Sequence, residues 1–243
     1  MTIVAGDANI IDVDELVDET GTIPFELLSQ WALDMTLWCA AGLTPRRPNG
    51  WGRATAVAAR KPGAAPLPGA RPVRFMAGEA PAGELADHGI INDGASTPES
   101  HIYLATILNG RSLLDGADDV TDAATHEIGE NAIDPWLNGC VQSPLGAIYA
   151  LEVCDAVQGT GRRYGKTWCS NICLPAYFSP SPGDTRFDLH GVLTAPFTIA
   201  PEGYAQTYDS STMRWKILNV ERAAPKLATP TSRISRRAAK VAG

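Results

Sequence analysis

The sequence lacks the long apolar runs that would place it in a membrane. No stretch of about 18 consecutive apolar residues occurs among its 243 residues, so we predict no membrane span. The first residues also lack a basic segment followed by an apolar stretch, and we therefore expect no secretory signal and a soluble protein. Cysteine is scarce and odd in number, with five residues in the chain. That count argues against a scaffold held together by disulfides.

Acidic residues outnumber basic ones, but the imbalance is uneven along the chain. The net charge is −7, although residues 222–243 contain six basic residues and no acidic one. We predict a single domain over residues 1–221 and a basic, disordered tail over residues 222–243. The tail has no aromatic side chain to stack on bases, so nucleic acid is expected to bind only weakly, through the tail.

Hydrophobic periodicity predicts an α+β fold in which a first helix backs a mixed sheet. Residues 25–38 place apolar side chains at helical spacing, and Pro24 suits the first turn of a helix. Residues 118–133 form a second predicted helix, because acidic residues open it and Pro135 follows it. Strands are predicted where β-branched, aromatic or alternating apolar residues cluster, at residues 53–59, 73–76, 101–108 and 148–153.

Two stretches of the sequence carry no clear strand pattern. Residues 1–22 are acidic and weakly patterned, and residues 78–100 are rich in turn-forming residues. We predict a short segment that leads to a break at Gly21 and Thr22 for the first stretch, with no strand assigned to it, and a loop containing His88 for the second. Towards the end of the domain, residues 204–208 and 214–220 are predicted to form a closing hairpin.

The most informative motif is a histidine followed by two glutamates inside the second predicted helix. His126 and Glu130 are four residues apart, so a helix places both side chains on one face, where they could bind one metal ion. Glu127 follows His126 directly. In zinc peptidases with His-Glu-x-x-His, the glutamate at this place takes a proton from the water at the metal. The pattern His-Glu-x-x-Glu is expected by chance only about 0.01 times in a chain of this composition.

Two residues of the motif depart from an ordinary helix or an ordinary zinc site. Glu130 stands where zinc peptidases have a second histidine, and a carboxylate there makes the site harder and favours weaker Lewis acidity or another ion. Gly129 costs about 1 kcal/mol relative to alanine inside a helix, which indicates that another stretch of backbone or a substrate approaches closely. The alternative is that both glutamates are solvated and His126 is an ordinary helix residue.

Three segments of the sequence follow one known pattern. His-Glu-x-x-Glu is followed by Asp-Pro within residues 125–135, then by Glu-Val-Cys-Asp at residues 152–155 and by Pro-Ala-Tyr-Phe at residues 175–178. Together they resemble a group of bacterial and phage-encoded proteins with a zincin-like motif, in which serine stands in place of Thr125. The likeness extends from about residue 101 to residue 204. It implies a zincin-like fold and metal binding, without implying an activity.

A catalytic zinc site needs a third protein ligand. The candidates in the sequence are Asp134, Glu152, Asp155 and His190. We favour Glu152, which lies 26 residues after His126, as in peptidases whose third ligand is a downstream glutamate. Asp134 has an alternative role in the last turn of the helix, and Asp155 could either bind the metal or orient a ligand. His190 could instead donate a hydrogen bond to an oxyanion.

Two functions follow as predictions. The first is a zinc-dependent peptidase, with Glu127 as the catalytic base and with His126, Glu130 and Glu152 as metal ligands. Residues 101–108 are then predicted to form the edge of the sheet at which an extended peptide or protein substrate adds as a strand. The second is a non-catalytic structural or accessory protein on a degenerate zincin scaffold, such as a virion component. The expected location is the cytoplasm or a virion.

Overall fold

The computed structural model describes residues 11–47, 49–65, 67–78, 80, 84–89, 97–109 and 115–219. The tail predicted at residues 222–243 and the last residue of the predicted hairpin lie outside the described residues. Within the described part of the chain, no helix has both the length and the apolar character needed to cross a membrane.

The described residues form a mixed α+β fold. The strands are β1 (Ile11–Asp18), β2 (Ala54–Arg60), β3 (Ala70–Met76), β4 (Ala86–Gly89), β5 (Glu99–Tyr103), β6 (Cys140–Gln142), β7 (Ile148–Ala150), β8 (Arg162–Tyr164), β9 (Thr167–Cys169), β10 (Tyr204–Asp209) and β11 (Arg214–Asn219). The helices are α1 (Phe25–Gly42), α2 (Leu104–Leu108), α3 (Val120–Ile133) and α4 (Pro175–Phe178), with a 3₁₀ turn at Asp155–Val157. The two long predicted helices are therefore confirmed.

The larger sheet is mixed and is backed by α1. Its strand order is β2-β1-β3-β5-β4, and all neighbouring strands are parallel except β4, which is antiparallel to β5. Trp31 of α1 contacts Phe75 of β3 with ring centroids 6.0 Å apart, and α1 packs along β2. α3 packs against β4 and β5. The prediction of a helix backing a mixed sheet is confirmed.

The core lies between α1, the larger sheet and α3. Trp31, Met35 and Trp38 are spaced along the buried face of α1, and Ile128 of α3 is fully buried with them. Trp38 also donates a hydrogen bond from its indole nitrogen to the carbonyl oxygen of Ser170 at 2.8 Å. Burial of such large side chains on a helical stripe is what stabilises α1, since helices of this length gain most of their stability from packing.

Residues 1–22 are predicted without a strand, and over Ile11–Asp18 this is wrong, because β1 lies between β2 and β3 in the larger sheet. Residues 1–10 lie outside the described residues. Asp14 and Glu15 of β1 are fully buried. Glu15 forms an ion pair with Arg60 of β2, and Arg71 of β3 lies 3.9 Å from Asp14. Acidic side chains that resemble a solvated segment in the sequence are thus buried, because neighbouring strands provide their basic partners.

Residues 101–108 are only partly the predicted strand. β5 ends at Tyr103, and Leu104–Leu108 forms the short helix α2. Leu104 and Ile107, three residues apart, are both buried. A short apolar run such as this one is as compatible with a helix as with a strand. The prediction that residues 101–108 form an edge of the sheet is also wrong, because β5 lies between β3 and β4. The strand at that end of the sheet is β4.

The prediction of a loop at residues 78–100 fails at β4. All four residues of Ala86–Gly89 are buried, and β4 pairs with β5 so that His88 lies opposite Ser100. A strand buried on both faces does not show the polar and apolar alternation that marks a half-buried strand. His88 is therefore held in the sheet, and not in a loop.

A smaller sheet follows α3, with antiparallel strands in the order β11-β10-β7-β6. The predicted closing hairpin is confirmed as β10 and β11. The predicted strand at residues 148–153 is confirmed over Ile148–Ala150, after which the chain leaves the sheet and enters the 3₁₀ turn. β8 and β9 form a separate hairpin, and all five cysteines are free thiols.

Candidate metal centre

α3 carries the three residues of the motif into the interior. His126, Glu127 and Glu130 are 3%, 1% and 0% exposed. The predicted alternative of solvated glutamates is therefore wrong. Buried ionisable groups persist when they are paired with one another or bind a cation, so their immediate neighbours decide what the site can do.

The first group of metal donors combines α3 with the 3₁₀ turn that follows β7. His126 Nε2 lies 3.1 Å from Glu130 Oε1 and 3.2 Å from Asp155 Oδ1. One donor atom from each residue lies within 4.8 Å of the others, so the three could hold a metal ion. Gln206 of β10 lies 3.4 Å from the other oxygen of Asp155, a contact that orients this carboxylate.

The second group of donors brings β4 to the same place. His88, Glu130 and Glu152 also have donor atoms within 4.8 Å of one another. His88 Nδ1 lies 2.9 Å from Glu127 Oε2 and 3.7 Å from Glu130 Oε2. Glu152, the predicted third ligand, therefore lies with His88, while Asp155 lies with His126.

The other two candidates for the third ligand have different contacts. The carboxylate of Asp134 accepts hydrogen bonds from the amides of Asn138 and Gly139, at 3.1 and 2.9 Å. His190 lies 2.9 Å from the carbonyl oxygen of Thr160 and stacks on Tyr164. Neither side chain is in the two groups of donors. Asp134 thus stabilises the turn at the end of α3, which is the alternative role predicted for it from the sequence.

His88 is the site residue that the sequence did not reveal. It occurs 38 residues before His126 without a motif that joins them, and the turn-rich residues around it predicted a loop. The one usable signal was composition, because the chain has only four histidines. The pairing of β4 with β5 is what carries His88 to α3.

The carboxylates govern the protonation of both histidines. Burial by itself lowers the pKa of His126, but Glu130 and Asp155 outweigh that effect and hold the pKa well above its usual value. Burial likewise lowers the pKa of His88, but its contact with Glu127 outweighs that effect, so the pKa of His88 lies above its usual value. Carboxylates that hold a proton on an imidazole offer the same oxygens to a metal cation, which competes with that proton.

Gly129 has a packing explanation. A Cβ atom at this position would lie 2.9 Å from Cys154 Sγ and 3.4 Å from the Trp38 ring. The close approach predicted from the glycine is therefore made by the protein's own side chains. Because Cys154 lies between Glu152 and Asp155, the absence of a side chain on Gly129 lets that segment reach α3.

Thr125 fixes the same helix to the segment after β9. Its hydroxyl donates to the Thr121 carbonyl oxygen at 2.8 Å and accepts a hydrogen bond from the Ser170 amide at 2.8 Å. A serine could make the same two contacts. This is a structural reason for a hydroxyl residue immediately before the motif.

Asp122, one turn before His126, yields a prediction about stability and pH. Its side chain is buried, one oxygen accepts the Asp118 amide at 3.0 Å, and the other has no hydrogen-bond partner among the described residues. Burial raises the pKa of Asp122 from 3.8 to about 6. The Asp122 carboxyl therefore ionises at lower pH in the unfolded chain than in the folded protein. As pH rises from about 4 to 6, this difference lowers the free energy of unfolding.

Replacing Asp122 with asparagine removes the ionisable group, and with it the loss of stability at higher pH. The side-chain oxygen of asparagine can still accept a hydrogen bond from the Asp118 amide. We expect D122N to raise the free energy of unfolding by about 2–3 kcal/mol above pH 6, and by much less at pH 4. Urea unfolding of both proteins at pH 4, 5, 6 and 7 measures the difference. A D122N protein that is less stable than wild type at pH 7 would contradict the prediction.

Comparison of the chain with protein-family models, curated proteins and solved structures found no match.

Proposed function

We propose that the protein is a zinc-dependent hydrolase of peptide bonds, with the metal held by His126, Glu130 and Asp155. The observation that carries this proposal is the convergence of three donor atoms from two elements within 4.8 Å, on a helix that also bears Glu127. One imidazole nitrogen and two carboxylate oxygens are donors that zinc accepts in proteins. When bound, zinc would supply Lewis acidity, which polarises a carbonyl group and acidifies water.

The third ligand in this proposal is Asp155, where the sequence favoured Glu152. Asp155 Oδ1 lies 3.2 Å from the same His126 nitrogen that faces Glu130, so all three donors point to one place. The donor set contains two carboxylates and one imidazole, which makes it harder than a site with two histidines. Zinc is the proposed ion, and manganese or iron would suit the same donors.

Glu127 is the proposed general base, and His88 positions it. The 2.9 Å contact between His88 Nδ1 and Glu127 Oε2 holds the carboxylate in one orientation on α3. A base must be held within hydrogen-bond reach of the proton that it takes. Because His88 comes from the edge strand β4, this contact also ties the base to the part of the sheet nearest to α3.

The arrangement of the sheet supports a zincin-like fold within the same proposal. A helix with the motif lies against β4 and β5, and β4 is the antiparallel edge strand of an otherwise parallel sheet. In such a fold an extended substrate adds to the edge strand by backbone hydrogen bonds. β4 thus takes the place of residues 101–108 as the proposed edge, and because all four of its residues are buried, strand addition by a substrate would require that edge to be uncovered.

A second candidate function is a non-catalytic protein in which the metal stabilises the fold. The observation that favours it is burial, since His126, Glu130 and Asp155 are each 3% exposed or less. Structural zinc sites are closed, whereas catalytic sites keep a position open to water and substrate. A role in a virion or another protein assembly belongs to this second candidate.

Metal analysis of purified protein tests the metal site. After exposure to zinc and removal of unbound ions, wild type is expected to retain zinc, and His126→Ala to lose the ion at this site. His190→Ala is the matched control, because that histidine lies outside both donor groups, and it should retain the wild-type content. Wild-type protein without bound zinc or any other transition metal would overturn the proposal.

Peptide hydrolysis then separates the two candidate functions. A library of fluorogenic peptides is expected to reveal a substrate that the zinc-loaded wild type cleaves. Glu127→Gln should keep the zinc and lose at least about 100-fold in rate, which is the usual scale of general-base catalysis. Zinc binding without hydrolysis by the wild type, together with full biological function of Glu127→Gln, would favour the non-catalytic protein.

A further inference from the structure

The two carboxylate oxygens of Glu130 face different histidines. Oε1 lies 3.1 Å from His126 Nε2, and Oε2 lies 3.7 Å from His88 Nδ1. The same residue therefore belongs to both groups of donors, one with Asp155 and one with Glu152. A carboxylate that presents one oxygen to each of two sites has the geometry of a bridging ligand.

His88 is oriented as a metal-binding histidine. Its Nε2 atom lies 3.3 Å from the backbone carbonyl oxygen of Asp134, which can only accept a hydrogen bond, so Nε2 carries the hydrogen. Nδ1 is then directed at the oxygens of Glu127 and Glu130. A proton on Nδ1 can satisfy these oxygens, and a metal ion bound by Nδ1 would take the place of that proton. Donation of the second ring N–H to a backbone carbonyl is the usual arrangement of metal-ligating histidines.

The charge of the cluster is compatible with two divalent ions. The cluster contains four carboxylates (Glu127, Glu130, Glu152 and Asp155), each 4% exposed or less, and the two imidazoles. Buried like charges are costly unless cations compensate them. Without metal, protons on the two imidazoles offset part of this negative charge, and divalent ions bound in place of those protons would offset more of it.

We propose that this cluster holds two divalent transition-metal ions bridged by Glu130. The first ion is the one of the proposed function, bound by His126 and Asp155. The second would be bound by His88 Nδ1 and Glu152, and it would replace the direct contact between His88 and Glu127, so that Glu127 would face this ion. The inference rests on the proposed function, because the two sites share Glu130. Two imidazoles and four carboxylates are also the donors of di-iron and di-manganese carboxylate centres, and paired ions a few ångströms apart are common in hydrolases.

Metal titration of the full chain tests the pair. Zinc is added to metal-free protein, and bound ion is measured by competition with a chromophoric chelator. Wild type is expected to bind two equivalents, and His88→Ala one. His101→Ala, on the neighbouring strand and outside both groups, is the control that should keep two. Glu152→Gln preserves the shape of the side chain, and it should weaken the binding of the second zinc equivalent by at least about 10-fold.

Manganese provides a readout of the bridge itself. Two Mn²⁺ ions that share Glu130 are expected to give an exchange-coupled electron paramagnetic resonance spectrum in wild type. His88→Ala should convert it to the six-line spectrum of isolated Mn²⁺. Circular dichroism and thermal unfolding establish that each variant is folded before its metal content is interpreted.

The outcomes separate this inference from the proposed function. One equivalent in wild type that His126→Ala removes and His88→Ala leaves would overturn the pair and leave the proposed function standing. A single equivalent that His88→Ala removes and His126→Ala leaves would overturn both the pair and the proposed site. Two equivalents that both survive in His88→Ala and Glu152→Gln would overturn the assignment of the second site.

Discussion

Replacing Asp155 with asparagine is expected to lower the affinity of the His126 site for zinc by at least about 100-fold. The substitution keeps the shape of the side chain but exchanges a charged oxygen 3.2 Å from His126 Nε2 for a neutral amide. Loss of a group that only orients a metal ligand costs about 10- to 100-fold in affinity, so loss of a ligand should cost more. Competition with a chromophoric chelator measures the affinity at a fixed pH.

Asp134→Asn is the matched control for that substitution. Asp134 is also buried and also follows the motif, but its carboxylate accepts the backbone amides of Asn138 and Gly139. Asparagine retains one acceptor oxygen for them, so zinc affinity should stay within a few-fold of wild type. Equal affinities of Asp155→Asn and wild type would rule out Asp155 as a ligand. If Glu152→Gln then removed the His126 site, the third ligand would be the one that the sequence favoured.

Removal of bound metal is expected to lower the melting temperature by about 8–16 °C. A ligand present at about 1,000 times its dissociation constant stabilises the folded protein by about 4 kcal/mol. In a chain of this size each kcal/mol corresponds to about 2–4 °C. The physical cause is the cluster of buried carboxylates, which keeps its mutual repulsion when the cation leaves. Scanning calorimetry with saturating zinc and with a chelator measures the difference.

Glu130→Gln provides the control for the chelation experiment. Glu130 contributes to both groups of donors, so its loss should remove most of the response to zinc and to chelator. A chelator that lowers the melting temperature of Glu130→Gln as much as that of wild type would show that the effect arises elsewhere. An unchanged melting temperature of wild type would show that metal does not stabilise this fold.

The two long helices were predicted correctly because their signals are local. α1 repeats apolar residues at helical spacing over several turns, α3 is bounded by acidic residues and Pro135, and a helix is stabilised along one continuous stretch of chain. His126 and Glu130 were placed together for the same reason, because four residues separate them. The closing hairpin of β10 and β11 is also local, since a short turn joins its strands.

The elements that the sequence missed depend on distant partners. β1 was not predicted because Asp14 and Glu15 suggest a solvated segment until Arg60 and Arg71 are placed beside them. β4 was not predicted because a four-residue buried strand has no pattern of its own. In both cases the polar residues are stabilised by contacts that sheet pairing creates.

The sequence by itself determined that one helix presents His126, Glu127 and Glu130 in a fixed relation. That relation follows from the rise and twist of the helix, which need no other part of the chain. Only the tertiary structure decided which residues lie beside these three residues. It places Asp155 with His126, it brings His88 of β4 to the other oxygen of Glu130, and it places a donor atom of Glu152 within 4.8 Å of both residues. These residues meet through strand pairing and through the approach of Cys154 to Gly129, and no spacing along the chain encodes those contacts.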